Sequence, residues 1–292
     1  MGKRFASVQP VLSLHDAAMA LVDHAIESLQ GGTDEQAVHA ARKACKRVRA
    51  ALRMLRDGFG EREYRSDNRR IRDSARPLTA VRDAVILRRT LAKLSKHPQP
   101  LARDLEADYH RAWRALEDRG AQTAVVRLRA ARERLARVSR IDSETASAIT
   151  GATGVYKAGR KALHNARSRD DQALHEWRKQ AKYLVNQLEL LSTVFNARFR
   201  KLHRRADRLA EALGDDHDLS VLAGKLASGE AGDRTLRKRI KKRRRKLQAR
   251  AFRLGRRLYR HSTKRIEATL VAHLSNAQRM SSSTHRGIPD GY

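Results

Sequence analysis

Residues 39–55 contain a row of cationic side chains that could bind an anion. Each residue of an α-helix turns the chain by about 100°, so positions i, i+3, i+7, i+10 and i+14 share one flank. Neighbouring like charges in such a row repel each other by roughly 0.2–0.5 kcal/mol per pair. Many rows of this kind are only solvated surface, but a row that persists at this cost predicts an anionic partner. Its members are His39, Arg42, Lys46, Arg49 and Arg53.

An apolar stripe lies directly beside this row and not on the opposite face of the helix. This arrangement places the cations at the border of a packed interface, so it predicts a groove against a neighbouring helix. The stripe comprises Val38, Ala41, Cys45, Val48, Leu52 and Leu55.

The same pattern occurs a second time. The motif HxxRKxxK begins at His39 and again at His175, an offset of 136 residues, and a second pair of segments, residues 78–83 and 213–218, repeats at an offset of 135. A near-constant offset with the same two-stripe geometry predicts an internally duplicated helical bundle with a pseudo-two-fold axis. The second copy supplies His175, Arg178, Lys179 and Lys182 as candidate anion ligands.

Two further helical segments carry cation rows beside apolar stripes. Their spacing is again helical, although the two rows lie on opposite flanks of their stripes. From these rows we expect Arg69, Arg72, Arg205 and Arg208 to join the groove.

Composition limits the partners. The chain has 292 residues and a formal net charge of +32, with 64 Lys and Arg against 32 Asp and Glu. Such an excess indicates a polyanion: DNA, RNA, an anionic membrane or inorganic polyphosphate. Only 4% of the residues are aromatic, which disfavours single-stranded nucleic acid, because its bases usually stack on aromatic rings.

Other function classes receive little support. Cys45 is the single cysteine and lies on an apolar stripe, so we expect a buried thiol and no intrachain disulfide. No window approaches 18 apolar residues, which predicts that nothing spans a membrane. Polar residues interrupt the apolar start of the chain where a signal peptide would need continuity, so the cytoplasm is the expected location.

Scarce proline and apolar spacing near 3.6 residues predict an almost wholly helical fold. We expect a break at Gly120, a capping box at Thr33 and Gln36, and a long helix after residue 197. The predicted organisation is an arm at 1–10, a first helical-bundle repeat at 11–138, a linker at 139–154, a second repeat at 155–280 and a disordered tail at 281–292.

The duplicated motif gives this chain a family resemblance. The segment HxxRKxxKRVRAAL from His39, followed by Leu-x-x-x-Arg-Asp at residues 78–83 and repeated once, resembles the CHAD family (conserved histidine α-helical domain). The resemblance covers about residues 11–275. It implies an all-α fold of two antiparallel four-helix bundles around a central basic groove that binds inorganic polyphosphate. No Glu-x-Glu-x-Lys segment of a triphosphate-tunnel domain is present, so the chain resembles the stand-alone members.

The second copy departs from the family pattern. The family usually has Arg-Tyr where this chain has Val185-Asn186, and Glu189 occupies the position equivalent to Arg53. We therefore expect a lopsided site in which the first copy contributes most of the binding.

The sequence shows no clear arrangement of residues for catalysis or metal binding. His39 and His175 have no second His or carboxylate at i+4, so phosphate contact is preferred over a metal site. Asp83 and Asp218 offer one carboxylate per half; we expect them to lie far apart and to act in capping or ion pairs. No Gly-rich phosphate loop, Ser/His/Asp constellation or cofactor-binding motif is found. The predicted function is therefore non-catalytic binding of inorganic polyphosphate, with targeting of the protein to polyphosphate granules.

Two alternatives stay open. The run Lys238–Lys246 has the density of a nucleic-acid-binding patch, so a sequence-nonspecific DNA- or RNA-binding protein is the first alternative. A metal-dependent polyphosphatase is the second, although it would need clustered carboxylates. The pattern leaves the oligomeric state open.

Overall fold

The computed structural model describes residues 13–94, 100–137, 144–194, 198–227 and 234–272. Within these ranges every regular element is helical and no strand occurs, which confirms the all-α prediction. No helix in the described ranges is both long and apolar enough to cross a membrane. The predicted arm at 1–10 and tail at 281–292 lie outside the described residues.

The first part of the chain forms seven helices in the described ranges, and a single π turn (Leu116–Gly120) joins the last two. They are α1 (Leu14–Gln30), α2 (Glu35–Met54), α3 (Arg56–Phe59), α4 (Glu61–Ser74), α5 (Pro77–Leu94), α6 (Pro100–Ala115) and α7 (Ala121–Ala136).

The second part follows with five more helices, and a short 3-10 turn (Ala166–Ser168) separates the first two. They are α8 (Glu144–Asn165), α9 (Asp171–Val194), α10 (Arg198–Ala227), α11 (Arg234–Leu258) and α12 (263–272).

Helix α2 lies in the middle of the molecule. Its N-cap is Asp34, whose carboxylate accepts a 2.7 Å hydrogen bond from the backbone N–H of Ala37, so the predicted capping box at Thr33 is wrong. A carboxylate is as good a cap as a hydroxyl, which explains the shift by one residue. The whole predicted apolar stripe is buried, and α2 contacts α1, α4, α5, α8 and α9.

Helix α9 has the corresponding position in the second half. Its apolar stripe, from Leu174 to Leu191, is buried around Trp177, which is fully covered. The helix packs against α8, α10 and α2. Helices α2 and α9 therefore bring the two HxxRKxxK motifs to one interface, whereas the pseudo-two-fold relation of the halves stays a prediction.

The predicted break at Gly120 is wrong. The chain stays helical through the π turn, and Gly120 keeps a right-handed helical φ of −65°. Glycine costs a helix only about 1 kcal/mol, and packing on both sides outweighs this cost. The resulting bent helix covers α5 with its first part and α1 and α4 with its second.

Most of the predicted linker 139–154 is also helical, because α8 begins at Glu144. The carboxylate of Glu144 accepts hydrogen bonds from the backbone N–H groups of Leu14 (2.9 Å) and His15 (3.2 Å), so it caps α1 from the other half of the chain. The small residues that suggested a linker serve close helix packing instead. Helix α10 continues through Gly214 without interruption.

Gly151 shows how close this packing is. A Cβ at Gly151 would lie 2.6 Å from the Cα of Met54 and 3.0 Å from the carbonyl oxygen of Arg53. These are backbone atoms of α2, which cannot move without displacing the helix that carries the first cation row. Gly154, one turn later on α8, has no neighbouring atom within 4 Å of such a Cβ.

We therefore expect opposite effects from two alanine substitutions in α8. Gly151→Ala should lower the free energy of unfolding by about 1–3 kcal/mol, the usual cost of overpacking. Gly154→Ala should raise it by about 0.4–1 kcal/mol, because alanine is the better helix former. Urea unfolding of both variants measures the difference. Equal stability of the two variants would contradict the close approach of α8 and α2.

Candidate anion-binding groove

Five cations from three helices converge where α2 meets α9. Arg42 and Lys46 come from α2, Arg82 from α5, and Arg178 and Lys182 from α9, and the other four all act electrostatically on Lys46. We call these five residues the central cluster. Burial, followed by the charges of Arg42, Arg82, Lys182 and Arg178, lowers the pKa of Lys46 to about 7. Such a large shift from the usual value of a lysine means that its positive charge is poorly compensated.

The central cluster is accessible from solvent. Lys46 is exposed while its neighbours Arg42 and Arg178 are half-buried. A charged group that is surrounded closely by protein atoms and still reached by water lies in a concave surface. We call the solvent-accessible surface between α2 and α9 that carries the central cluster the groove.

Only some of the N–H groups of these arginines donate hydrogen bonds to described residues. Nη1 of Arg42 donates to the hydroxyl of Thr79 on α5 at 2.7 Å. The Nε–H groups of Arg42 and Arg178 are buried and have no acceptor among the described residues. Burying a donor without an acceptor costs about 1–3 kcal/mol, so the groove is held in an arrangement that is not optimal for the protein alone.

The two predicted histidines lie at the same end of the groove as Arg82. His39 is exposed, and burial, followed by the charges of Lys46, Lys43, Arg42 and Arg82, lowers its pKa. His175 contacts His217 of α10, with 3.5 Å between their Nδ1 atoms. Burial, followed by Arg178, His175 and Arg82, lowers the pKa of His217 to about 4. These rings are neutral at pH 7 and can still donate a hydrogen bond to a phosphate oxygen.

A pair of histidines alone is not a metal site. In the described ranges no three residues of the types His, Cys, Asp and Glu are grouped in a way that could hold a metal ion. The neighbouring cations, Arg82 and Arg178, would also oppose a metal ion.

Asp83 and Asp218 are not far apart, so that expectation is wrong. Nη1 of Arg82 lies 2.9 Å from a carboxylate oxygen of Asp83, and Nη2 of Arg82 lies 3.9 Å from one of Asp218. Their predicted role in ion pairs is confirmed. Because α5 contacts α10, the equivalent segments of the two halves meet at this guanidinium.

Sequence reasoning missed Arg82 and His217 as site residues. Both occupy the same position in the repeated segments 78–83 and 213–218, one residue before the aspartate. The arginine of the family pattern Leu-x-x-x-Arg-Asp marks this position and could have identified both residues.

The groove continues along α2 beyond the central cluster. Nε of Arg49 donates to the side-chain oxygen of Asn68 on α4 at 2.9 Å. The guanidinium of Arg53 stacks 3.8 Å from the centroid of the Tyr183 ring on α9. Arg72 is near enough to Arg49 to lower its pKa, after the larger effect of burial. Arg49, Arg53 and Arg72 therefore form the α4 end of the groove.

Two predicted groove residues, Arg69 and Arg205, lie elsewhere, and the place of Arg208 in the groove stays a prediction. Arg69 lines a separate depression between α4 and α7. On α10 the groove side carries Asp207, whose charge acts on Lys182. At about 100° per residue, Arg208 and Arg205 are turned about 100° and 160° from Asp207. Arg205 interacts electrostatically with His261, which follows α11.

The two sides of the groove, which we call the first wall (α2) and the second wall (α9), differ in their carboxylates, and the predicted unequal binding stays a prediction. The carboxylates of Asp207 and Glu211 both raise the pKa of Lys182, although burial has the larger, opposite effect. Nζ of Lys179 lies 2.6 Å from the carboxylate of Glu176, so its charge is partly compensated.

Glu189 has a role that the sequence did not reveal. Its carboxylate pairs with Arg47 of α2, whose Nε lies 3.0 Å away, and with Lys43 at 3.6 Å. The residue that replaces a cation of the second row thus joins α9 to α2.

Comparisons with known proteins agree with this architecture. The family model of the CHAD domain matches residues 14–227. The chain is similar to the crystal structure of the CHAD domain from the plant Ricinus communis, with 19% identity and a TM-score of 0.57 over 91% of this chain and 94% of that one. At this identity the likeness supports the shared fold. A comparison with curated proteins finds no match. From the family match over most of its length, the chain belongs to the CHAD family.

Proposed function

We propose that this protein binds inorganic polyphosphate in the groove between α2 and α9. The observation that carries the proposal is the convergence of Arg42, Lys46, Arg82, Arg178 and Lys182 around one solvent-accessible concavity. Their mutual repulsion is relieved when an anion enters. Guanidinium groups can hold phosphate oxygens through two parallel hydrogen bonds, while lysines act as point charges.

The groove suits a phosphate chain better than a nucleic acid. Two tyrosines lie near Arg49 in this part of the groove: Tyr64 is buried, and the guanidinium of Arg53 covers the ring of Tyr183. Neither tyrosine offers a free ring face on which a base could stack. A linear polyphosphate has no bases and needs only cations along its path.

The proposal also covers what happens to the bound ligand and where the protein acts. We propose that the chain binds without hydrolysing its ligand and that it acts in the cytoplasm, at polyphosphate granules. Phosphate release in the presence of added Mg²⁺ or Mn²⁺ would contradict the non-catalytic part and favour the polyphosphatase alternative.

Neutralising the cations on both walls should weaken binding strongly and make it less dependent on salt. The test variant combines Arg42→Gln, Lys46→Gln, Arg178→Gln and Lys182→Gln. Because each lost phosphate contact removes about 0.7 from the slope of log K against log salt for a single-stranded polyanion, the four losses should make the slope shallower by about 3. A salt-dependent binding titration with polyphosphate measures both quantities.

A matched control removes the same charge from another surface. Lys157, Arg160, Lys161 and Arg167 are exposed on α8 and the 3-10 turn that follows. The fourfold Gln variant at these positions should bind within about twofold of the unmodified protein. If both variants lose affinity equally, total charge and not the groove determines binding. Urea unfolding checks that both remain folded.

Binding should also depend on pH through Lys46. With a pKa of about 7 in the free groove, Lys46 is about half protonated at pH 7, and a bound polyanion raises its pKa. Binding therefore takes up protons, and the affinity should fall by up to about tenfold per pH unit from pH 7 to 9. Lys46→Arg keeps its charge throughout this range and should lose that dependence. Calorimetry in buffers of different ionisation enthalpy measures the proton uptake; an identical pH profile for the two proteins would refute the role of Lys46.

Nucleic-acid binding remains the second candidate because of α11. This helix carries no acidic residue, and most of its cations are exposed, including Lys238, Lys241, Lys242 and Arg245. Its convex surface resembles a nonspecific phosphate-binding surface more than a groove does.

Competition separates the two candidates. We expect long-chain polyphosphate to displace duplex DNA at near-physiological salt, because only polyphosphate reaches the central cluster. Fluorescence anisotropy of labelled DNA during the titration gives the result. Retention of DNA against an excess of polyphosphate would make nucleic acid the principal ligand.

A further inference from the structure

The solvent-exposed side of α4 carries a belt of arginines. Taking the direction of Asn68 as zero and about 100° per residue, the five side chains turn from about 40° to about 200° around the helix. The angles are about 40° for Arg72, 60° for Arg65, 100° for Arg69, 120° for Arg62 and 200° for Arg70. We call these five residues the α4 belt. It extends from the side that faces α2 to the side that faces α7.

Beside the belt lies a concave surface distinct from the groove. A depression of about 730 Å³ between α4 and α7 is lined by four belt arginines, all except Arg72, and by Arg127 of α7. Cations on two facing helices can hold successive phosphates from both sides, which a row on one convex helix cannot do.

The depression has fewer anions than cations. Among its lining residues the carboxylates are those of Glu61 and Asp73. Glu61 already pairs with Arg56 and Arg65, and Asp73 pairs with Arg72 at 2.9 Å. Arg62, Arg69 and Arg70 form no ion pair within the described ranges.

The belt begins where the groove ends. Asn68 accepts the hydrogen bond of Arg49, and Arg72 acts on Arg49 electrostatically. Arg72 is therefore the link between the two sites. At the other end, Arg70 also lines a smaller depression of about 380 Å³ together with Glu133, Arg134 and Arg137, of which Arg134 pairs with the buried carboxylate of Asp67 at 2.6 Å. A continuous run of cations thus leads from the central cluster across α4 to α7.

We propose that the depression between α4 and α7 is a second phosphate-binding site, which takes the part of a long polyphosphate chain that extends beyond the groove. This proposal rests on the function proposed above and adds a chain-length preference to it. A short chain fills the groove alone. A long chain leaves past Arg49 and Arg72 and gains further contacts in the depression.

The test compares ligands of two lengths. The variant Arg62→Gln, Arg69→Gln, Arg70→Gln is titrated with tripolyphosphate and with long-chain polyphosphate. Its control is the triple variant Lys157→Gln, Arg160→Gln, Lys161→Gln on α8, which loses the same charge. We expect the belt variant to bind tripolyphosphate within twofold of the control but long chains about tenfold more weakly, with a salt slope shallower by about 2.

A second variant excludes a folding defect. Arg62→Lys, Arg69→Lys, Arg70→Lys keeps all three charges and should keep the salt slope for long chains. Long-chain affinity of the Gln variant equal to that of the control would overturn the second site. An equal loss for tripolyphosphate would also overturn it, because the substitutions would then act on the groove. If the unmodified protein binds neither ligand, the proposed function itself fails, which is a different result.

Discussion

Repulsion between Arg42, Lys46, Arg82, Arg178 and Lys182 is the constraint around which the rest of the structure is arranged. Bringing these charges together is unfavourable, so the helices that carry them must be held by other contacts. The buried stripes of α2 and α9 supply them; each large apolar side chain that is fully buried contributes about 1.5–3 kcal/mol. The ion pairs of Glu189 join the same two helices, and the contact of Gly151 with Met54 fixes α2 against α8. The fold thus holds these cations together in an electrostatically unfavourable arrangement.

The two halves contribute unequally to this surface. At one position in the repeated segment the first half has Arg82 and the second has His217, which is neutral at pH 7 because its pKa is about 4. Lys182 also has two carboxylates beside it, Asp207 and Glu211, whereas Lys46 has none among its influential neighbours. The departures at Val185, Asn186 and Glu189 are therefore not the only differences between the two walls. Residues of α5 and α10 add three more: Arg82 in place of His217, and the carboxylates of Asp207 and Glu211.

Helix type and the first wall could be predicted from the sequence because both depend on local spacing. The stripe of α2 and the row beside it follow from a period of 3.6 residues, and the second copy of the motif lies on one continuous helix, α9. The positions of Arg69, Arg205 and Arg208 could not, because a cation row has two flanks and only tertiary packing decides which flank faces the groove. Gly120 and the segment from Glu144 onward were misjudged since composition alone cannot show that a neighbouring helix stabilises a turn or fills the space beside small residues.

Asp207 and Glu211, beside Lys182, have a consequence for how a chain lies in the groove. They make one wall of the groove chemically different from the other, so the groove has no two-fold symmetry and the site has a direction. A linear polyphosphate has none, because its two ends are identical and reversing the chain gives the same molecule. The unequal walls therefore cannot orient such a ligand; they determine only where in the groove its charge would be held most strongly. A nucleic-acid strand, which has a 5′ and a 3′ end, would instead be bound in one orientation in preference to the other.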